Sequence, residues 1–308
     1  MKQIETKRGL KFTPPSELND SDPIEITIAP NAGACFGVVR AIKLAVQAAT
    51  RGQEQATPVY SFGPLIHNPH VVSDLGSKGV KTVENPDDVK GGTVILRSHG
   101  VQKQVEAKLK EQGVHVVDAT CPLVKKPQRI ASGLGAKGYF LIMVGDANHP
   151  EVRGVLSYFG SDRFLVTYNP DDIDKIPSEV DRVGIVAQTT IEAKVLEEIV
   201  RRARLRFSDV QVHNTICDAT SVRQSEAIEL AMGADVLVVV GGKNSSNTNK
   251  LVKICRSYQA DTYHIEELGE IKRAWFNGKR RIGVTGGAST PHEVVDKVGN
   301  HIAQLLAH

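Results

Sequence analysis

Three cysteines stand at matching places in the chain. Cys35, Cys121 and Cys217 lie 86 and 96 residues apart, each near the start of a helical stretch. Thiolates are soft ligands for iron or zinc, but the close CxxC-type spacings that announce a metal site are absent. On spacing alone the three are either metal ligands or small buried hydrophobes. Gly33, Ala34 and Gly37 around Cys35, and Pro122 after Cys121, mark turns. Cys255 breaks the pattern, lying mid-helix in LVKICRSY, and reads as structural. Four cysteines in 308 residues make no disulfide framework and suit a reducing, cytoplasmic compartment.

Two turns have the composition of anion cradles. GGKNSSNTNK at 241–250 follows an apolar run and opens a helical pattern, and GGAST at 286–290 repeats the arrangement before Pro291. Small residues let backbone N–H groups approach an anion, and a helix N-terminus adds partial positive charge. Ser245, Ser246, Asn247 and Ser289 supply side-chain donors, although ordinary helix caps use the same residues. His67, His99 and His149 fall in comparable turns, LIHN, RSHG and NHPE, where protonated imidazoles would suit a multiply charged anion. Glu151, two residues after His149, is a candidate general acid if burial raises its pKa. Gln188, Thr189 and Thr190 in AQTT are short donors able to orient a hydroxyl. The remaining seven histidines, His292 among them, read as structural.

The elements that must position these residues alternate. Short Val/Ile-rich runs at 24–30, 92–97, 139–145, 182–188, 235–241 and 281–286 read as strands. Helical periodicity marks 38–50, 102–112, 192–206, 222–232, 248–257 and 292–307. This is an α/β pattern with mainly parallel sheets. It falls into three similar blocks, each with a cysteine, then a strand ending in a polar turn, then a second strand ending in another. A unit of roughly 90 residues is too long for a solenoid repeat of ~20–50, so the expectation is three small α/β domains. Ligands in open α/β sheets bind beyond the carboxyl ends of the strands. If the units face one axis, the cysteines and turns build a single site for a phosphate or diphosphate ester with its reacting group near a metal.

Composition excludes several classes. With 41% hydrophobic and 24% charged residues, the chain can bury a core and is not globally disordered. No apolar run approaches the ~20 residues of a membrane span. The N-terminus lacks an apolar signal core, and Glu5, Glu17, Asp20 and Asp22 argue against a transit peptide. A net charge of +3 is too mild to imply nucleic acid.

The set Gly33-Ala34-Cys35-Phe36-Gly37-Val38, IHNP, RSHGV, DATCPLV, NHPEV, QTT, ICDAT with RQ, KNSSN and TGGASTP, in this order from about residue 25 to the end, resembles the LytB family of 4-hydroxy-3-methylbut-2-enyl diphosphate reductases. The resemblance implies a trefoil of three α/β domains around one oxygen-sensitive [4Fe–4S] cluster per chain, with Cys35, Cys121 and Cys217 as its three ligands and the substrate's C4 oxygen on the fourth iron. It places His67, His99, Ser245, Ser246, Asn247 and Ser289 on the diphosphate and substrate, His149 and Thr189 where the family binds substrate, and Glu151 as proton donor. Two electrons and two protons would expel the C4 hydroxyl as water and leave isopentenyl or dimethylallyl diphosphate, completing the methylerythritol phosphate route to isoprenoids. Reduced ferredoxin or flavodoxin is the implied electron donor, in the cytoplasm, with no nucleic acid or membrane involved. The implied division is a flexible polar tail at 1–23, a first unit at 37–119, a second at 120–213, and a third made of 24–36 with 214–308. One departure is Ala34, where the family often has Phe; this would loosen packing beside the cluster unless Phe36 fills the space. Two other readings stay open: a metal-dependent phosphate-ester hydrolase, and a non-catalytic iron–sulfur sensor of isoprenoid diphosphates.

Overall fold

The computed structural model describes residues 3–14 and 22–307. The chain begins with β1 (Ile4–Arg8), β2 (Ile24–Ile28), α1 (Phe36–Glu54), β3 (Val59–Phe62), α2 (Pro69–Ser77), β4 (Val80–Val83), β5 (Thr93–Leu96), α3 (Lys103–Glu111) and β6 (His115–Asp118). It continues with α4 (Pro122–Ala136), β7 (Phe140–Val144), α5 (Pro150–Phe159), β8 (Phe164–Thr167), β9 (Arg182–Ala187), α6 (Ala193–Arg206) and β10 (Asp209–His213). It ends with α7 (Asp218–Gly233), β11 (Val236–Val240), α8 (Ser246–Tyr258), β12 (Thr262–Ile265), β13 (Arg281–Gly286) and α9 (His292–Ala307). None of the helices among the described residues is long and apolar enough to cross a membrane.

Two compact units emerge. One comprises residues 1–35, 67–69 and 218–308, and the other 36–66 and 70–217. The first holds a five-stranded sheet in the order β1-β2-β13-β11-β12; the second holds two four-stranded sheets, β4-β3-β5-β6 and β10-β9-β7-β8. Every pairing is parallel. The three sheets share one plan. In chain order within each block, the second strand flanks the first, the third lies on the first strand's other side, and a fourth follows. β4-β3-β5-β6 and β8-β7-β9-β10 follow it directly, and β12-β11-β13 is completed by β2 from the other end of the chain. The order reverses between the first and third strands, so the loops at their carboxyl ends flank a crevice suited to a ligand.

Sequence explains the central strands simply. FLIMV of β7 and VLVVV of β11 are buried throughout, as expected for parallel strands covered on both faces. Side chains on both faces of β11 join Leu230, Leu251 and Val298 in the core of the first unit. In the second unit, β7 and β9 carry a core on each face, one built around Ile185 and Ile199, the other around Leu141 and Val155. Phe62, Leu96 and Leu109 centre the core of the other sheet.

Ile4–Arg8 lies in the stretch expected as a polar tail, yet it forms an edge strand paired with β2. Only one side of this strand is covered, so IETKR carries little apolar signal; backbone pairing holds it, together with an Arg8–Asp296 ion pair. Residue Thr13 then binds the buried Glu25 carboxylate through its N–H at 2.9 Å and its hydroxyl. Residues 15–21 of that stretch lie outside the described residues.

At the opposite end from the site, Asp235 ties β11 to β13 by accepting the N–H groups of Arg280 and Arg281, at 3.0 and 2.9 Å, and the Arg281 guanidinium. Burial disfavours its charge, but these donors outweigh burial and hold its pKa below the ordinary 3.8. The tie is therefore stabilising above about pH 3.8, and its contribution is lost as pH falls through the lower folded-state value. Acid unfolding followed by circular dichroism should show a flatter loss of stability below pH 4 in Asp235→Asn than in the unmodified chain.

Candidate functional site

All three cysteines of the repeated pattern immediately precede a helix: Cys35 before α1, Cys121 before α4 and Cys217 before α7. Each also follows the fourth strand of its sheet, β2, β6 and β10 respectively. The backbone agreement is closer still. The Cys121 N–H donates to the Ser98 carbonyl at 3.0 Å, that of Cys217 to Thr189 at 2.9 Å, and that of Cys35 to Ala288 at 3.1 Å. In every case the acceptor lies two residues beyond the end of the third strand, β5, β9 or β13. Three positions far apart in sequence thus have one local geometry. All four cysteines are thiols, and these three are partly exposed. Cys255 differs: it is fully buried, its Sγ faces the Ala227 carbonyl at 4.0 Å, and burial pushes its thiol up to about 12.

In the first unit the residues beyond β11 and β13 meet. Ser245 caps α8, accepting the Thr248 N–H at 3.3 Å, and its hydroxyl lies 3.5 Å from that of Ser289. Ser289 donates to the His67 carbonyl at 3.2 Å, and a Cβ on Gly242 would stand 2.5 Å from that same oxygen. The two turns approach so closely that a Cβ on Gly287 would fall 2.1 Å from Thr248 Oγ1, so glycine is required there. Asn247 is 6% exposed, yet neither atom of its amide has a hydrogen-bond partner, and the same holds for Thr248 Oγ1. An unpaired buried polar group costs about 1–3 kcal/mol. Such groups beside a helix N-terminus describe a cradle for an oxygen-rich anion. Ser246 stands in the first turn of α8, directly after the cap. Ser245, Ser289 and the His67 carbonyl therefore meet, with Ser246 and Asn247 next along α8, and Ala288 links this turn to Cys35.

In the second unit a continuous run of contacts leads from Cys121 to Cys217. Ser98, which accepts from Cys121, precedes His99, whose ring meets that of His149 edge-on with centroids 5.8 Å apart. His149 caps α5, its Nδ1 accepting the Glu151 N–H at 3.2 Å, which leaves Nε2 as the neutral ring's donor. Pro150 at the first helical position has no N–H to satisfy, so the turn is preset. Glu151 is 1% exposed. Its two carboxylate oxygens accept from the Thr189 N–H at 2.7 Å and the Thr189 hydroxyl at 2.8 Å. Thr189 in turn accepts from Cys217. Gln188, fully buried, joins the two turns by accepting from the Asp146 N–H and donating to Thr190, both at 3.1 Å. Both oxygens accept, so the Glu151 carboxyl is held in one orientation beside the Thr189 hydroxyl.

Among the described residues, no three His, Cys, Asp or Glu side chains gather as ligands of a single metal ion. A four-iron cluster takes each thiolate on a different iron, so its ligands need not crowd one centre. Three accessible thiols at helix N-termini, where negative charge is favoured, match the donor chemistry of such a cluster.

A sequence model of the family described as LytB protein matches residues 26–303. The 4-hydroxy-3-methylbut-2-enyl diphosphate reductase of Pelobacter propionicus is 43% identical over 282 residues, covering 92% of this chain and 99% of that one. Its counterpart in Trichlorobacter lovleyi is 44% identical with the same coverage. Among solved structures, (E)-4-hydroxy-3-methyl-but-2-enyl diphosphate reductase, described as the terminal enzyme of the non-mevalonate pathway, aligns with a TM-score of 0.67 at 41% identity, covering 91% of this chain and 99% of that one. The E-1-hydroxy-2-methyl-but-2-enyl-4-diphosphate reductase of Plasmodium falciparum aligns with a TM-score of 0.83 at 27% identity, covering 89% and 86%.

Proposed function

The chain belongs to the LytB protein family, and from that membership we propose that it reduces 4-hydroxy-3-methylbut-2-enyl diphosphate to isopentenyl and dimethylallyl diphosphate, the last step of the non-mevalonate route. Two electrons and two protons enter, the C4–O bond breaks, and the oxygen leaves as water; the diphosphate is unchanged. Cys35, Cys121 and Cys217 are the residues that would hold a [4Fe–4S] cluster. Bound there, it would supply the electrons and a Lewis-acid iron. The observation that carries the reading is the shared geometry of these cysteines, each before a helix and each donating to the residue two beyond a third strand.

The protein's own groups do the rest. Ser245, Ser246, Asn247 and Ser289, with His67, bind the diphosphate and so turn its charge into positioning of the distant hydroxyl. His99 and His149 face the substrate as donors. Glu151 gives the proton, with the Thr189 hydroxyl aligned on it at 2.8 Å. Reduced ferredoxin or flavodoxin is the proposed electron source, and a thiolate-held cluster suits the reducing cytoplasm.

Iron, acid-labile sulfide and zinc measured on protein purified without oxygen test the reading. Four irons and four sulfides per chain, no zinc, and water-forming turnover of the diphosphate are expected. One zinc and no sulfide after anaerobic reconstitution would replace it with the hydrolase. Asn247→Ala should raise KM for the diphosphate roughly ten- to hundredfold, because a hydrogen bond to a charged group is worth about 1.5–3 kcal/mol. Cluster content should not change. An unaltered KM would remove Asn247 from the binding site.

A further inference from the structure

His292, at the start of α9, faces two carbonyls at once: its Nδ1 stands 3.0 Å from the oxygen of Ala32 and its Nε2 3.0 Å from that of Ala34. These are the carbonyls three and one residues before Cys35. The carbonyl between them, on Gly33, accepts from Arg223 of α7 at 2.7 Å. Three successive carbonyls of the loop leading to the cysteine thus face side-chain nitrogens. Gly33 has φ +118°, and a Cβ there would lie 2.5 Å from His292 Nδ1. The glycine gives the loop its turn and the ring its seat.

In the second unit an unrelated side chain meets the corresponding carbonyls. Arg40 of α1 donates through Nη1 to the Thr120 carbonyl at 3.2 Å and through Nη2 to that of Asp118 at 3.3 Å. These are the carbonyls one and three residues before Cys121. A guanidinium donates from both nitrogens, whereas a neutral imidazole donates from one, so His292 hydrogen-bonds one of its two carbonyls in either tautomer and both only as the imidazolium. The two side chains meet the corresponding pair of peptides before two of the three cysteines. Holding the peptide before the cysteine, and the one two before that, restricts how the loop can carry the thiolate toward a metal.

We propose that His292 and Arg40 are positioning residues for the iron–sulfur cluster, each seated against the carbonyls one and three residues before its cysteine. This rests on the ligand assignment made above. Arg40 is permanently charged, and charge near a cluster is a recognised control of its potential. His292→Leu and Arg40→Met remove the nitrogens that face these carbonyls; His292→Gln and Arg40→Lys keep donors without the paired spacing and preserve packing where the others fail to fold.

The experiment uses the full chain, anaerobically reconstituted, with an iron(II) chelator as the probe. Iron release, the midpoint potential and the electron paramagnetic resonance signal of the reduced cluster are recorded, alongside thermal unfolding of the apoprotein. Iron should be released about tenfold faster or more in His292→Leu and Arg40→Met, with partial recovery in His292→Gln and Arg40→Lys. The resonance signal should shift in all four, and Arg40→Met should also move the potential, while apoprotein unfolding shifts far less than cluster loss requires. Release rates, potential and signal identical to the unmodified chain would overturn the positioning role, as would changes that track apoprotein stability alone. Should the unmodified chain itself hold no four-iron cluster, the ligand assignment fails first and the positioning role with it.

Discussion

Serine in place of Cys35, Cys121 or Cys217 should abolish both the cluster and turnover, one substitution at a time. A serine hydroxyl is nearly isosteric with the thiol but is a hard, weakly acidic group and a poor ligand for iron. The fold should survive, because each cysteine's structural contribution is its backbone N–H, which serine retains toward Ala288, Ser98 or Thr189. The control is Cys255→Ser: its buried thiol in the core of the first unit should be replaceable without loss of iron. The measurement is iron and sulfide per chain after anaerobic purification. A serine variant of the first three that keeps its full complement, or a Cys255→Ser variant that loses it, would refute the ligand set.

Glu151→Gln should lower kcat by about 10²–10⁴, the range in which a positioned acid contributes, and leave cluster content and substrate binding intact. The amide is close in size to the acid and its oxygen still accepts the Thr189 N–H, so the turn before α5 and the edge-on pair of His99 and His149 stay in place. Only the transferable proton is lost. Because Glu151 is almost wholly buried, water is a poor substitute, and the loss should persist across buffer pH. Single-turnover reduction with the diphosphate bound separates the two effects. Unchanged turnover would assign the proton to another group, the substrate's own diphosphate being nearest in kind.

These two results would also distinguish the rival readings. A sensor would lose its cluster with the cysteines but gain nothing from an acid at 151, whereas a hydrolase would tolerate air and need no electron donor.

The chain itself determined a great deal. Cysteines recurring at block spacing, the glycine-, serine- and asparagine-rich turns after apolar runs, and the histidines in three comparable turns were all visible before any fold was known. These residues are chosen for what the backbone and metal chemistry demand locally, and local demands leave local signatures. The same is true of the central strands, whose unbroken Val, Ile and Leu runs reflect burial on both faces. Edge strands such as VKTV of β4 and TYHI of β12 left weaker traces, since one face is wet and four residues carry little periodicity. Helical periodicity sets in only at 222 although α7 starts at Asp218, because its polar first turn shows no apolar stripe.

Tertiary structure alone decided which turns meet. Parallel pairing joins residues far apart in sequence, so the shared strand order, with β2 completing the sheet of β11 to β13, is written nowhere in a single segment. It is that order that sets the first- and third-strand loops together, bringing Ser289 to Ser245 across 44 positions and Thr189 to Glu151 across 38. The histidine that looked ordinary shows the limit most clearly. Nothing around His292 in sequence marks it, for its partners lie 258 and 260 positions away and are backbone carbonyls. Every residue has a carbonyl, so only the folded chain shows which ones are grasped.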